Sequence, residues 1–342
     1  MNHSDLALAQ LRDIAEAAAT VAAAAEAGLF HALHEGPLSA EELATRSGLD
    51  ARAVSIILPV LAELGLVEPE AGAATTSASR YRLTERAGRE LGDPRSPDYQ
   101  GRGLPLWLEN LRSWTRLAES LRTGAPVEPV DDEAGDDEAG DDARRRDRIA
   151  RFMAGMAAAP GERVERLVDA VLGRRPGART ILDVGGGPGH IARAFIDQGL
   201  DAVLLDRPEV EEFIRHEYGL AQVPGLRTVG ADFLADPLPA GPFDVVLLSN
   251  ILHMLSPAQS VALLRQARSA MVPGGVVAIA DFLRGRSPRA ARFAVVMLLR
   301  TSGGNTYTLD DHQKWLELTG FHKVILTDLD PERQLITALT PP

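Results

Sequence analysis

The residues able to do chemistry gather after position 180. Ile181–His190 reads Ile-Leu-Asp-Val-Gly-Gly-Gly-Pro-Gly-His. Residues 179–184 form a short apolar run with a β-branched bias, which predicts a buried strand. The glycines stop that strand, and residues 191–196 resume helical spacing. Such a turn lets a ligand reach the backbone with no Cβ in the way. Gly185, Gly187 and Gly189 give G-x-G-x-G, and His190 stands where a dinucleotide fingerprint needs its last glycine. No phosphate-clamping lysine follows. Asp183 at the strand end is unsuited to a pyrophosphate and suits a ligand with a cationic group. A tight turn in some other α/β protein would use the same residues.

Asp206 ends the next apolar run, about twenty residues past the glycine turn, where a carboxylate can accept from both hydroxyls of a ribose. A plain surface aspartate at a strand end is the alternative. His253 is the candidate base, because histidine titrates near working pH. The other histidines form no spaced ligand set, so no metal is expected. His190, opening a helix, is structural or a cofactor-side contact.

Elements that must position these groups follow from the periodicity. From Thr180 strand and helix patterns alternate, as in a doubly wound α/β sheet. Strands are expected over 180–184, 202–206, 226–230, 243–249, 276–281, 323–328 and 334–340. Ligands of such sheets lie outside the carboxyl ends of the strands. Upstream, residues 6–30 are an alanine-rich helical stretch. Ser39-Ala-Glu-Glu reads as a capping box before Leu43, ended by Gly48. Residues 51–64 form a longer helix, and residues 66–68 and 80–84 two short strands, together resembling a winged helix. Residues 104–121 and 149–172 are each expected to be helical. Trp107 could belong to a core or wall an aromatic pocket. Phe152, Met153 and Met156 are expected on one side of their helix.

The Ile181–His190 run resembles motif I of the class I S-adenosylmethionine-dependent methyltransferases. The winged unit is similar to the N-terminal dimerisation domain of the small-molecule O-methyltransferases. That resemblance spans essentially the whole chain. It implies a Rossmann-like doubly wound sheet preceded by a mainly α winged-helix dimerisation domain. The domains implied are residues 1–100 for dimerisation, 101–172 as a helical linker and substrate roof, and 173–342 for S-adenosyl-L-methionine, with S-adenosyl-L-homocysteine as product.

By the same resemblance Asp183, Gly185, Gly187, Asp206 and Ser249 bind cofactor. Asp232 takes the adenine amino group, and Phe233 the ring face. Phe243–His253 matches the strand running into a helix that carries the substrate-mouth histidine. Pro273-Gly274-Gly275 matches the turn before the fifth strand. Trp107, Phe152, Met156, Asn250, Met254, Met297 and Asn305 are the pocket candidates. The chain departs from the plant members, which have His-Asp-Trp where it has His253-Met254-Leu255, and which orient the histidine with glutamates. Asp281 is a strand-end candidate for that duty only.

The bulk properties narrow the function. The chain has 342 residues, a net charge of −12 and no cysteine. The charge argues against nucleic-acid binding. The missing thiols exclude disulfides, thiol nucleophiles and cysteine-held iron–sulfur clusters, so methyl transfer must be polar. Residues 131–142 hold eight acidic side chains in a low-complexity repeat, expected as a surface loop. No basic leader with an apolar core precedes the helices, and no run reaches membrane-spanning length. A cytoplasmic homodimer is expected, acting on an aromatic or polyketide-type small molecule, on oxygen before nitrogen or carbon. Non-methylating relatives of the fold exist. A winged-helix regulator would need a basic recognition helix, and residues 51–64 offer only Arg52. A dehydrogenase would need glycine at His190.

Overall fold

A computed structural model describes residues 7–70, 79–96, 98–129, 141–157 and 161–342. The chain divides into two compact units, Met1–Arg112 and Ser113–Pro342. The boundary falls inside the 101–172 stretch expected as a separate region. Of the acidic repeat, residues 131–140 lie outside the described residues, and Asp141 and Asp142 open a helix.

In the first unit, helices Leu8–Glu26, Leu29–His34, Ala40–Ser47 and Ala51–Glu63 pack on a three-stranded antiparallel sheet of β1 (Leu38–Ser39), β2 (Val67–Pro69) and β3 (Arg80–Leu83). The capping box forms as expected. Ser39 Oγ accepts from the Glu42 amide at 3.2 Å, and the Glu42 carboxylate accepts from the Ser39 amide at 2.8 Å. Val54, Leu58 and Leu61, at helical spacing, bury one face of Ala51–Glu63 against Leu29, Phe30, Leu33 and Leu43. The strand arginines are neutralised locally: Arg80 pairs with Glu42 at 2.9 Å and Arg82 with Glu68 at 2.8 Å. Little free positive charge is left for phosphates. The expected helix over 104–121 is two helices, Leu104–Trp114 and Leu117–Thr123, the first crossing the unit boundary.

The second unit is built on seven strands: β4 (Thr180–Val184), β5 (Asp201–Asp206), β6 (Leu226–Gly230), β7 (Phe243–Ser249), β8 (Met271–Asp281), β9 (His322–Asp328) and β10 (Gln334–Leu339). Their spatial order is β6-β5-β4-β7-β8-β10-β9. Strands β4 to β8 pair in parallel, and β10 runs antiparallel to both its neighbours. Strand order reverses at β4, which opens a crevice above the carboxyl ends of β4 and β7.

Both faces of the sheet are covered, so its strands are apolar throughout. Leu182, Val184, Leu205, Val246, Leu248, Val277 and Ile279 point to one core, with Leu263, Leu264 and Leu316 from two helices. Ile181, Leu204, Val245, Leu247, Val276 and Ala278 alternate to the other, with Val168, Phe195 and Ile214. The Pro273-Gly274-Gly275 motif is not a turn ahead of β8. It lies within the longer strand as an irregularity, between the pairs Phe243–Met271 and Val245–Val276.

Candidate active site

The glycine turn is fixed from below. The Gly185 and Gly186 amides donate to the Leu205 carbonyl at 2.7 and 3.3 Å. Gly185, Gly187 and Gly189 have φ of 67°, 51° and 75°, values that favour glycine. A Cβ on Gly185 would lie 2.3 Å from Ile251 Cδ1 and 3.9 Å from Phe233 Cε1. The helix His190–Asp197 starts at once, so its free amides and dipole face the same space.

Three carboxylates stand at adjacent strand ends. Asp183 is 1% exposed, and its Oδ2 has no hydrogen-bond partner. Burial, with the Asp206 charge nearby, pushes its carboxyl up to about 7. A cationic ligand group would supply what that atom lacks. Asp206 Oδ2 accepts from the Gly187 amide at 2.9 Å, and Oδ1 from the Arg207 amide at 2.9 Å. Burial raises its carboxyl above the usual range, against those two amides. Asp232 Oδ1 accepts from the Leu234 amide at 2.8 Å, which fixes the turn bearing Phe233. Phe233 is partly buried, with its ring beside the glycine turn. His190 is held toward its neutral form by burial.

The chain leaves β7 at Ser249 through Asn250, whose φ of 61° is rare for a residue other than glycine. A single turn of 3-10 helix, Leu252–Met254, follows, and the next α-helix waits until Pro257. The expected direct run from strand into helix is thus broken, because Ser256 caps the later helix with Gln259. The break lays His253 against the end of β8. His253 is 5% exposed and Asp281 2%. His253 Nδ1 is 2.7 Å from Asp281 Oδ1, and the His253 amide donates to Oδ2 at 3.2 Å. The Phe282 amide donates to Oδ1 at 2.7 Å. Burial works to raise the Asp281 carboxyl, but His253, Arg333 and His312 together outweigh it and hold it below the usual range. A carboxylate on Nδ1–H leaves Nε2 as the basic nitrogen.

Around His253, Phe293 sets its ring at 86° to the imidazole with centroids 4.8 Å apart. The Asn305 amide donates to the His253 carbonyl at 2.8 Å. Met297 is buried on the helix Ala290–Arg300, and Met254 is partly buried. The helix Ala290–Arg300, which carries Phe293 and Met297, packs on the Leu252–Met254 turn.

The helix Asp141–Ala157 departs from its expected pattern. Phe152 is 37% exposed, whereas Met153 is buried, with its Sδ 3.6 Å from where a Cβ on Gly187 would lie. Successive helical residues turn by about 100°, so 153 points away from 152, and 156 falls between them, about 40° from 152. Met156 is partly buried. Trp107 is partly buried in the Leu104–Trp114 helix of the first unit. Sequence reasoning passed over Met153 in favour of its neighbours. It also had no signal for Arg333, which reaches Asn250 from the β9–β10 connection.

Residues 114–322 match the O-methyltransferase domain, and residues 11–91 the O-methyltransferase dimerisation domain. The chain is 33% identical to the 3-hydroxy-5-methyl-1-naphthoate 3-O-methyltransferase of Streptomyces sahachiroi, over 89% of this chain and 86% of the relative. It is 32% identical to the tetracenomycin polyketide synthesis 8-O-methyl transferase of Streptomyces glaucescens, over 89% and 87%. Its structure resembles that of human N-acetylserotonin methyltransferase in complex with SAM, with a TM-score of 0.83, 23% identity and full coverage of both chains. Glycine cradle, strand-end carboxylates, sheet order and both domain matches agree, and the chain belongs to the O-methyltransferase family.

Proposed function

We propose that this O-methyltransferase moves the methyl group of S-adenosylmethionine to a phenolic hydroxyl of an aromatic, polyketide-type small molecule, with His253 as base. The observation that carries the reading is the His253–Asp281 pair beside a glycine cradle whose buried Asp183 oxygen lacks a partner. The curated relatives named above act on a naphthoate hydroxyl and in tetracenomycin synthesis, which is the acceptor chemistry adopted here.

The residues fit the cofactor. Asp183 would take the ammonium, Asp206 the ribose hydroxyls, Asp232 the adenine amino group and Phe233 the ring face. The backbone of Gly185 and Gly187 would line the amino-acid portion, and Ser249 the same edge of the crevice. The sulfonium supplies an already electrophilic methyl group, so the protein's tasks are alignment and removal of one proton. Asp281 holds the His253 tautomer that leaves Nε2 unprotonated, and stabilises the imidazolium once Nε2 has taken the phenolic proton. Phe293 fixes the ring by edge contact. Asn250, Met254, Met297 and Asn305 would line the acceptor pocket, with Phe152 and Met156 as its proposed outer members.

The dimerisation domain is proposed to form a homodimer, supported by Leu8, Leu11, Ile14 and Ile56, which are exposed in the first unit. Light scattering of the purified protein tests this. Among the described residues no helix is long and apolar enough to cross a membrane. His253→Ala tests the base. It should lower kcat for a phenolic acceptor by about 10²- to 10⁴-fold and leave the calorimetric Kd for S-adenosylhomocysteine unchanged. An unchanged rate would remove the base and leave alignment alone.

A further inference from the structure

Among the described residues Arg333 is a cation with no carboxylate in direct contact, although the Asp281 charge reaches it. It lies in the turn between β9 and β10, at the end of the sheet that carries Asp183 and Asn250. Three guanidiniums meet there. Arg163 pairs with Asp330, and Arg289 lies 3.6 Å from Glu332. Among the described residues Arg333 has no ion pair, and its side chain has one hydrogen-bond partner, the neutral Asn250 Oδ1. Its guanidinium carbon sits 3.3 Å from the Phe282 ring centroid, with Arg289 at 5.7 Å from the same ring. Both oxygens of Asp281, whose charge reaches Arg333, are already committed to His253 and the Phe282 amide.

A guanidinium carries five donors in a flat fork suited to a carboxylate. Here one donor is used, and the fork is held against a phenyl ring, where the cation keeps its attraction but gains no contact ion pair. Burial pulls its proton affinity down to about 9; Asp281 and Glu332 oppose this, and Arg163 and Arg289 add repulsion. Placing a cation this way costs stability unless an anion arrives. Asn250, strained at φ 61°, is the residue it grips, so the fork is oriented by the same turn that positions His253.

We infer that Arg333 is a carboxylate-binding subsite of the active site, facing the crevice beside Asn250. The carboxylate has two sources, the amino-acid end of the cofactor and an acid group on the acceptor. The inference rests on the cofactor placement proposed above, and wild-type binding of S-adenosylhomocysteine checks that placement separately.

Two binding contrasts decide it, measured by calorimetry on wild type, Arg333→Gln and Arg333→Lys, with melting curves to establish folding. The first compares S-adenosylhomocysteine with its decarboxylated analogue, which keeps the ammonium. The second compares 3-hydroxy-2-naphthoate with 2-naphthol on enzyme loaded with S-adenosylhomocysteine. If the cofactor supplies the carboxylate, Arg333→Gln weakens S-adenosylhomocysteine about 10- to 100-fold and leaves the analogue unchanged. If the acceptor supplies it, wild type prefers the naphthoate and Arg333→Gln loses that preference. In either case Arg333→Lys recovers part of the loss. A variant that folds and changes neither contrast overturns the subsite, including one whose rate falls because Arg333 merely supports Asp281. Wild type that fails to bind S-adenosylhomocysteine would instead overturn the cofactor placement.

Discussion

Asp183→Asn should stabilise the ligand-free protein, although it removes a residue assigned to the cofactor. Asp183 is 1% exposed, and its carboxyl is pushed from 3.8 up to about 7. The folded protein therefore holds this proton between pH 4 and 7 while the unfolded chain has released it. Stability contributed by the group is full below pH 4 and is lost as pH rises through 7. A difference of about three pH units corresponds to about 4 kcal/mol at pH 8. Asparagine is neutral at every pH and avoids that cost. The variant should melt on the order of 10 °C above wild type at pH 8, and the two should converge at pH 4. Saturating S-adenosylhomocysteine should reverse the order at pH 8, because its ammonium stabilises the ionised Asp183 and not the amide. Wild-type affinity should also fall as pH drops below 7, and the variant's should not. Scanning calorimetry with and without ligand at both pH values measures all of this. An equal melting difference at pH 4 and pH 8 would refute the argument, since it would place the effect in packing and not in charge.

Asp281→Asn should lower kcat about 10- to 100-fold by releasing the His253 ring, with the S-adenosylhomocysteine Kd unchanged in calorimetry. Gly185→Ala should abolish measurable cofactor binding, because its Cβ would lie 2.3 Å from Ile251 Cδ1 on a backbone at φ 67°. Ile251→Ala in the same chain should restore only part, since the conformational strain remains. Tyr307→Phe should cost about 1–2 kcal/mol in denaturant unfolding, as its buried hydroxyl donates to the Leu255 carbonyl at 2.5 Å.

The sheet was legible because its strands are buried on both faces. Ile181-Leu182, Val245–Leu248 and Val276–Ala280 are apolar runs that no surface strand would carry. The glycine turn and Asp206 were legible because local chemistry alone demands them there. The run Phe243–His253 resembles a strand passing directly into a helix, but a 3-10 turn, Leu252–Met254, intervenes. The capping residue Ser256 decides the boundary, with Gln259 reaching back to its amide at 2.9 Å. Met153 was passed over because periodicity gives the apolar stripe, not which residue of it meets the glycine turn. Arg333 was invisible because its partners, Asn250 and Phe282, come from other strands.

The pairing of His253 with Asp281 shows how sheet register creates a site that spacing hides. Ser249 on β7 is level with Ala280 on β8, and the Asn250 amide donates to the Ala280 carbonyl at 2.9 Å. Asp281 therefore stands beside Asn250, one residue past the last pair. A chain that continued straight from Asn250 would carry residue 253 about 10 Å beyond Asn250. The left-handed turn at Asn250 and the 3-10 turn after it keep the chain close instead. His253 thus meets the Asp281 carboxylate with both its ring and its amide. Moving Asp281 by one residue along β8 would point its side chain to the opposite face of the sheet. An orienting carboxylate is then required at one position of this strand and at no other, whatever the residues beside the histidine are.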